Sequence, residues 1–146
     1  MKTKVEYTDD KILIHRANGT VSMNRTKDED RDNAILADNL AMFEQQDFYN
    51  SEEFIDEFNK HLETVILSTR HGGSGARACR DALLSMYNGS AYKANLSDWY
   101  SLDGKNRAAL LFVLEHQTTC NRKDIDLYLP EYAADFKRMK EEVSHD

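Results

Sequence analysis

Proline occurs once in the 146 residues, at Pro130, and glycine only six times. The single proline argues against a long disordered linker. Two cysteines, Cys79 and Cys120, stand in no metal or redox spacing. A disulfide-stapled scaffold is therefore excluded, and both read most simply as free thiols in a reducing compartment. No apolar run approaches the roughly 18 residues that suggest a membrane span, and Met1–Glu6 lacks the apolar stretch of a signal peptide, so a cytoplasmic location is expected. Internal repeats and low-complexity tracts are absent too. With 40% apolar and 31% charged residues, the composition is that of a soluble globular protein. The length fits one domain over 1–146, with a β-hairpin region at 1–25 and a helical bundle at 26–146.

Excess positive charge is also lacking: the net charge is −7. It is unevenly spread, since residues 26–63 hold three Lys/Arg against twelve Asp/Glu, and residues 64–123 hold eight against four. An acidic helical region thus precedes a mildly basic middle. Direct nucleic-acid binding by the whole surface is not expected, because neutralising phosphates takes a concentrated cationic face.

What is present begins with Ile12-Leu13-Ile14-His15-Arg16-Ala17, then Asn18-Gly19, then Thr20-Val21-Ser22-Met23. Asn-Gly between β-prone runs predicts a type I′ hairpin pairing Ala17 with Thr20, Arg16 with Val21 and Ile14 with Met23. Ile12, Ile14, Val21 and Met23 then share a face, which must pack on the helices or on another chain because an isolated hairpin is marginal. A homodimer through the hairpin is one outcome. Val5 and Tyr7 are placed in a third strand.

Thr26-Lys27-Asp28-Glu29 has the form of a capping box and predicts a helix carrying Ile35, Leu36, Leu40 and Phe43 inward and ending near Gln46. Ser51-Glu52-Glu53 opens a second helix with the stripe Phe54, Phe58, Leu62, Val65 and Ile66. In Gly72-Gly73-Ser74-Gly75, Ser74 reads as the N-cap of a third helix starting near Gly75. Cys79, Ala82, Leu83, Met86 and Tyr87 form its apolar stripe, with Arg77, Arg80, Asp81 and Ser85 largely on the other side. Asn88-Gly89 stops it, both residues tolerating the left-handed conformation. Leu96, Trp99, Tyr100 and Leu102 fold back as a short aromatic turn over the stripe. Asp103 caps a fourth helix that is apolar nearly all round from Ala108 to Leu114, which reads as the central core helix, with Thr118, Thr119 and Asn121 at its end. Asp124–Leu129 is extended or a connector. Pro130 opens a last helix with Tyr132, Phe136 and Met139 inward.

The pattern Gly73-Ser74-Gly75-Ala76-Arg77, Asp81-Ala82-Leu83-Leu84, Tyr87-Asn88-Gly89, Asn95-Leu96-Ser97-Asp98-Trp99 and Leu102-Asp103 resembles a small all-helical family of unknown function. That family is carried on bacterial integrative elements and phages. The resemblance covers residues 70–140 and implies an all-α fold and a mobile-DNA setting. It implies no catalytic residues.

Five groups are candidates for function. Arg70, His71, Ser74, Gly75, Arg77 and Arg80 surround a glycine-rich turn that would suit phosphate or carboxylate, or is simply a link between two helices. Asp28, Asp32, Glu52, Glu53, Asp56 and Glu57 form an acidic surface that would dock on a basic partner, including one whose nucleic-acid site it covers; a solvated helix face is the plainer reading. His116 and Cys120 make half of a zinc set, and no further ligand motif completes it, so no metal is expected. Cys79 or Ser74 with His71 would be a nucleophile and base, but a buried thiol is shifted the wrong way and no elbow motif is present. Tyr87, Tyr92, Trp99 and Tyr100 read as core and core rim, or else as a ligand cage or interface anchor.

The expected fold class is mainly α, a compact bundle of about five helices with a small N-terminal antiparallel β-hairpin. The expected function is that of a non-enzymatic accessory or protein-interaction protein of bacterial mobile DNA, with a protein partner and no cofactor. The alternatives are a small anion- or nucleotide-binding protein using the turn at 70–80, and an acidic inhibitor of a nucleic-acid-binding partner.

Overall fold

A computed structural model describes residues 3–117 and 123–144 of the chain. Thr118, Thr119, Cys120 and Asn121 lie outside them. The chain divides into two compact units, Met1–Gln45 and Gln46–Asp146.

The first unit holds three antiparallel strands in the order β1 (Lys4–Tyr7), β2 (Lys11–Arg16) and β3 (Gly19–Asn24). The third strand expected at Val5 and Tyr7 is β1, with Val5 opposite Ile14 and Tyr7 opposite Ile12. The hairpin register differs from expectation: Arg16 pairs with Gly19, Ile14 with Val21 and Ile12 with Met23. The two-residue loop is Ala17-Asn18, neither of which has the positive φ that a type I′ turn needs, and the positive φ, 126°, falls on Gly19 after it. Because the slip is two residues, every side chain keeps its face. Ile12 and Ile14 therefore remain inward and form a core with Leu36 and Phe43, joined by Val5, Met23 and Leu40. Each such buried side chain contributes roughly 1.5–3 kcal/mol, which a free hairpin could not gain.

Leu36, Leu40 and Phe43 belong to α1 (Glu29–Tyr49), whose last turn lies in the second unit. Phe43 also carries the Arg16 guanidinium 4.1 Å above its ring. The start of α1 corrects the capping-box reading. Asp28 is the cap, accepting from the Arg31 N–H at 3.0 Å. Asp32, not Glu29, reaches back, accepting from the Thr26 N–H at 2.9 Å and from its hydroxyl at 2.7 Å. The helix continues past Gln46 to Tyr49, where the Asn50 amide donates to the Gln46 carbonyl at 2.7 Å.

The second unit contains α2 (Glu52–Ser68), α3 (Gly73–Tyr87), a 3₁₀ turn at Leu96–Ser101, α4 (Gly104–Gln117), two further 3₁₀ turns at Ile125–Leu127 and Pro130–Tyr132, and α5 (Ala133–Val143). Ser51 caps α2 as expected, accepting from the Phe54 N–H, and all five residues of its predicted stripe are buried. Asp103 caps α4, accepting from the Asn106 N–H at 2.9 Å, a bond that holds its carboxyl below the usual range. Asp124–Leu129 is a connector that seats Ile125 in the core, and Pro130 opens a 3₁₀ turn ahead of α5.

Three expectations are corrected. The cap of α3 is Gly72, and Ser74 makes no capping bond. Gly72 has φ 71° and ψ 175°, a backbone region open essentially to glycine alone. Nothing lies within 4 Å of a Cβ placed there, so Gly72→Ala would cost backbone strain only. A loss of about 1–3 kcal/mol is expected, read as a lower thermal midpoint by circular dichroism; an unchanged midpoint would contradict this geometry. At its other end, α3 closes on Asn88 at φ −151° and ψ 88°, outside the left-handed region, and its side chain accepts from the Ser90 and Ala91 N–H groups. Finally, α4 buries only Ala109, Leu110 and Val113, leaving Leu111 and Leu114 exposed. The central helix is α3, which buries Ala76, Ala78, Cys79, Arg80, Ala82, Leu83 and Leu84 and packs on α2, α4 and α5.

Candidate functional site

The glycine-rich turn expected to matter lies where three clefts meet, around the first turns of α3. The first cleft, about 490 Å³, is lined by Arg70, Arg77, Arg80 and Arg138 with Asp135 and Glu142. Each arginine is placed by a different constraint. Arg70 follows the end of α2, and its Nε and Nη2 donate to the two Asp135 oxygens at 2.9 and 2.8 Å, a bidentate fork. Arg138, on α5, donates to Glu142 at 2.6 Å, to the Thr69 hydroxyl at 2.8 Å and to Asp135 at 3.3 Å. Arg80 is nearly buried on α3 and donates to Asp81 at 2.7 Å. Its placement corrects the expectation that it sits on the outer face. Arg77 is exposed one turn earlier and forms an ion pair with none of the described residues.

Asp135 is the hinge of this arrangement. It is 7% exposed, and the Arg70 hydrogen bonds, helped by Arg138, hold its carboxyl below the usual range. The same contact pushes the Arg70 guanidinium up. Arg70 also lies over the Tyr132 ring at 5.5 Å, and the Tyr132 hydroxyl donates to Glu63, which raises its pKa.

His71 and Gly75 line a second cleft of about 510 Å³ with Ser68, Asp103 and Lys105. Gly72 and Ala76 border it and the first cleft alike. Ser74 lines a third with Arg77, Arg80, Asp81 and Asp98. Of the six residues expected to bind a ligand, the fold therefore gathers Arg70, Arg77 and Arg80 into one cleft and distributes His71, Gly75 and Ser74 around it. Sequence reasoning missed Arg138 and Asp135. Asp135, Arg138 and Glu142 are spaced as neighbours on one helical face, a legible ion-pair stripe, but nothing in that spacing names Arg70, 65 residues earlier, as their partner.

The other candidates fall elsewhere. Cys79 is fully buried, and burial pushes its thiol up, away from nucleophilic character. Cys120, the expected mate of His116, lies outside the described residues. Among those residues no three potential ligands gather to hold a metal ion, and no helix is long and apolar enough to cross a membrane. The acidic set is split between the units: Asp28 and Asp32 in the first, Glu52, Glu53, Asp56 and Glu57 in the second. Asp32 is only 4% exposed and committed to Thr26, so it is no surface charge. Glu52, Glu53, Asp56 and Glu57 are exposed on α2.

The aromatic group also divides. Tyr87, Tyr92 and Trp99 pack against the core, whereas Tyr100 is 88% exposed. Trp99 and Leu96 border two shallow apolar depressions, one completed by Tyr100 and Arg107, the other by Met86 and Leu114. Arg107, Leu111 and Leu114 lie at i, i+4 and i+7 on α4. Both leucines are exposed there, so the outer face of α4 and the turn at Leu96–Ser101 make one apolar surface.

Fold and site together define a mainly helical domain with an arginine-lined cleft beside an apolar face. The chain belongs to a family of unknown function, DUF7673, whose sequence model matches residues 60–144. Comparison with curated proteins and with solved structures returns no match.

Proposed function

We propose that this is a non-enzymatic protein-interaction protein, an accessory of bacterial mobile DNA, that docks a protein partner on the apolar face of α4 and Leu96–Ser101. One observation carries the reading: Leu96, Tyr100, Leu111 and Leu114 are between 43% and 88% exposed in a neighbourhood that already has a buried core beneath it. Contiguous apolar surface of this kind, rimmed by charges such as Arg107, is what interaction sites use, with an aromatic anchor at the centre. The mobile-DNA setting is supported by the sequence resemblance over residues 70–140.

Capture of partners from a bacterial lysate tests it. Tyr100→Ala with Leu111→Glu should lose the captured protein, at a cost of about 2 kcal/mol or more, some 30-fold in affinity. Asp56→Lys with Glu57→Lys should leave capture unchanged. The opposite pattern would transfer the function to the acidic face of α2 and favour an inhibitor of a basic partner.

A further inference from the structure

We propose that the arginine cleft between the end of α2, α3 and α5 is a binding site for a phosphate group, free or at the end of a monoester. Four guanidiniums line it against two carboxylates, Asp135 and Glu142. The carboxylates do not cancel the cleft; they fix it. Asp135 locks Arg70 and steadies Arg138, and Glu142 holds Arg138 at 2.6 Å while lying 3.8 Å from Arg80. Three arginines are thereby held in place before any ligand arrives, which removes much of the ordering cost of binding. Arg77, at the mouth, ion-pairs with none of the described residues and supplies the charge still to be met.

The chemistry of the walls selects the ligand. Donors come from three separate elements, and a phosphate can accept from several arginines at once with its oxygens, where a carboxylate offers only two. Among the described residues the remaining walls are Thr69, Gly72 and Ala76, with no aromatic or large apolar side chain to stack on a base or grip an organic body. Recognition is therefore of the phosphate, with anything esterified to it directed outward. This site is separate from the apolar face, and its occupancy does not depend on a partner docking there.

Titration with inorganic phosphate at constant ionic strength, followed by backbone amide shifts, tests the proposal. Saturable shifts confined to residues 69–80 and 135–142 are expected. Arg77→Ala should weaken binding by roughly tenfold or more, and Arg77→Lys should restore part of the loss. Arg77 is exposed, so both variants should keep the native circular dichroism spectrum. Parallel titration with glycerol phosphate assigns the site to a monoester if it binds as tightly or tighter, and to the free ion if it binds more weakly. Shifts that never saturate, affinity unchanged in Arg77→Ala, or acetate binding as tightly as phosphate would each overturn it.

Discussion

A fragment starting at Gln46 is expected to unfold cooperatively on heating, whereas one starting at residue 60, where the family similarity begins, is expected not to fold. The first boundary follows the compact unit; the second follows sequence similarity. Between them lie Ser51, Phe54 and Phe58. Phe58 is 1% exposed and packs at a tilt on Tyr128 at 5.0 Å between centroids, and Phe54, 4% exposed, meets Phe112 and His116 at 5.9 and 5.1 Å. Removing one buried phenylalanine costs about 3–5 kcal/mol, and the helix cap roughly 1 more. Against a total stability of about 5–15 kcal/mol, losing both rings and the cap leaves little or nothing. Circular dichroism melting of the two fragments decides the matter. An equally sharp transition in the shorter one would mean that the start of α2 is dispensable to this fold.

Much of that architecture was legible because short-range rules governed it. The stripe Phe54, Phe58, Leu62, Val65 and Ile66 has helical period and a serine ahead of it, and all five residues are buried. The hairpin face was readable although its register was not, since a two-residue slip moves no side chain across the sheet. The two cap errors share a cause, namely competition between residues that satisfy the same local rule. Asp28 and Thr26 can both cap α1, and Asp28 does. Ser74 and Gly72 can both start α3, and the backbone at φ 71° admits only the glycine. Apolarity all round α4 predicts burial, yet a helix can be apolar on a side that its packed neighbours leave exposed. The arginine cleft was half legible: Arg70, Arg77 and Arg80 cluster in sequence. Arg138 and Asp135 arrive from α5 by tertiary packing, which no spacing rule encodes.

The same packing gives the cleft a pH signature. Arg70 and Arg138 hold the Asp135 carboxyl below its ordinary range, so the folded state binds that proton less readily than the unfolded chain does. The contribution is therefore fully present above the unfolded value of about 3.9 and is lost as pH falls through the lower folded value. Asp135→Asn removes the charge while keeping the shape. It leaves Arg70 and Arg138 facing a neutral amide, and a destabilisation of about 1–2 kcal/mol at neutral pH is expected. Hydrogen bonds to charged groups reach roughly 3 kcal/mol, but Arg70 is 49% exposed and solvent screens part of the gain. The diagnostic quantity is the difference in stability between wild type and variant, measured by urea unfolding from pH 7 downward. It should narrow below about pH 4 as the wild-type carboxyl takes up its proton. Asp103, also held low, is present in both proteins and drops out of the difference. A gap of constant size over that range would show that Asp135 acts through shape rather than charge, and that the arginines are held in the cleft by something other than its carboxylate.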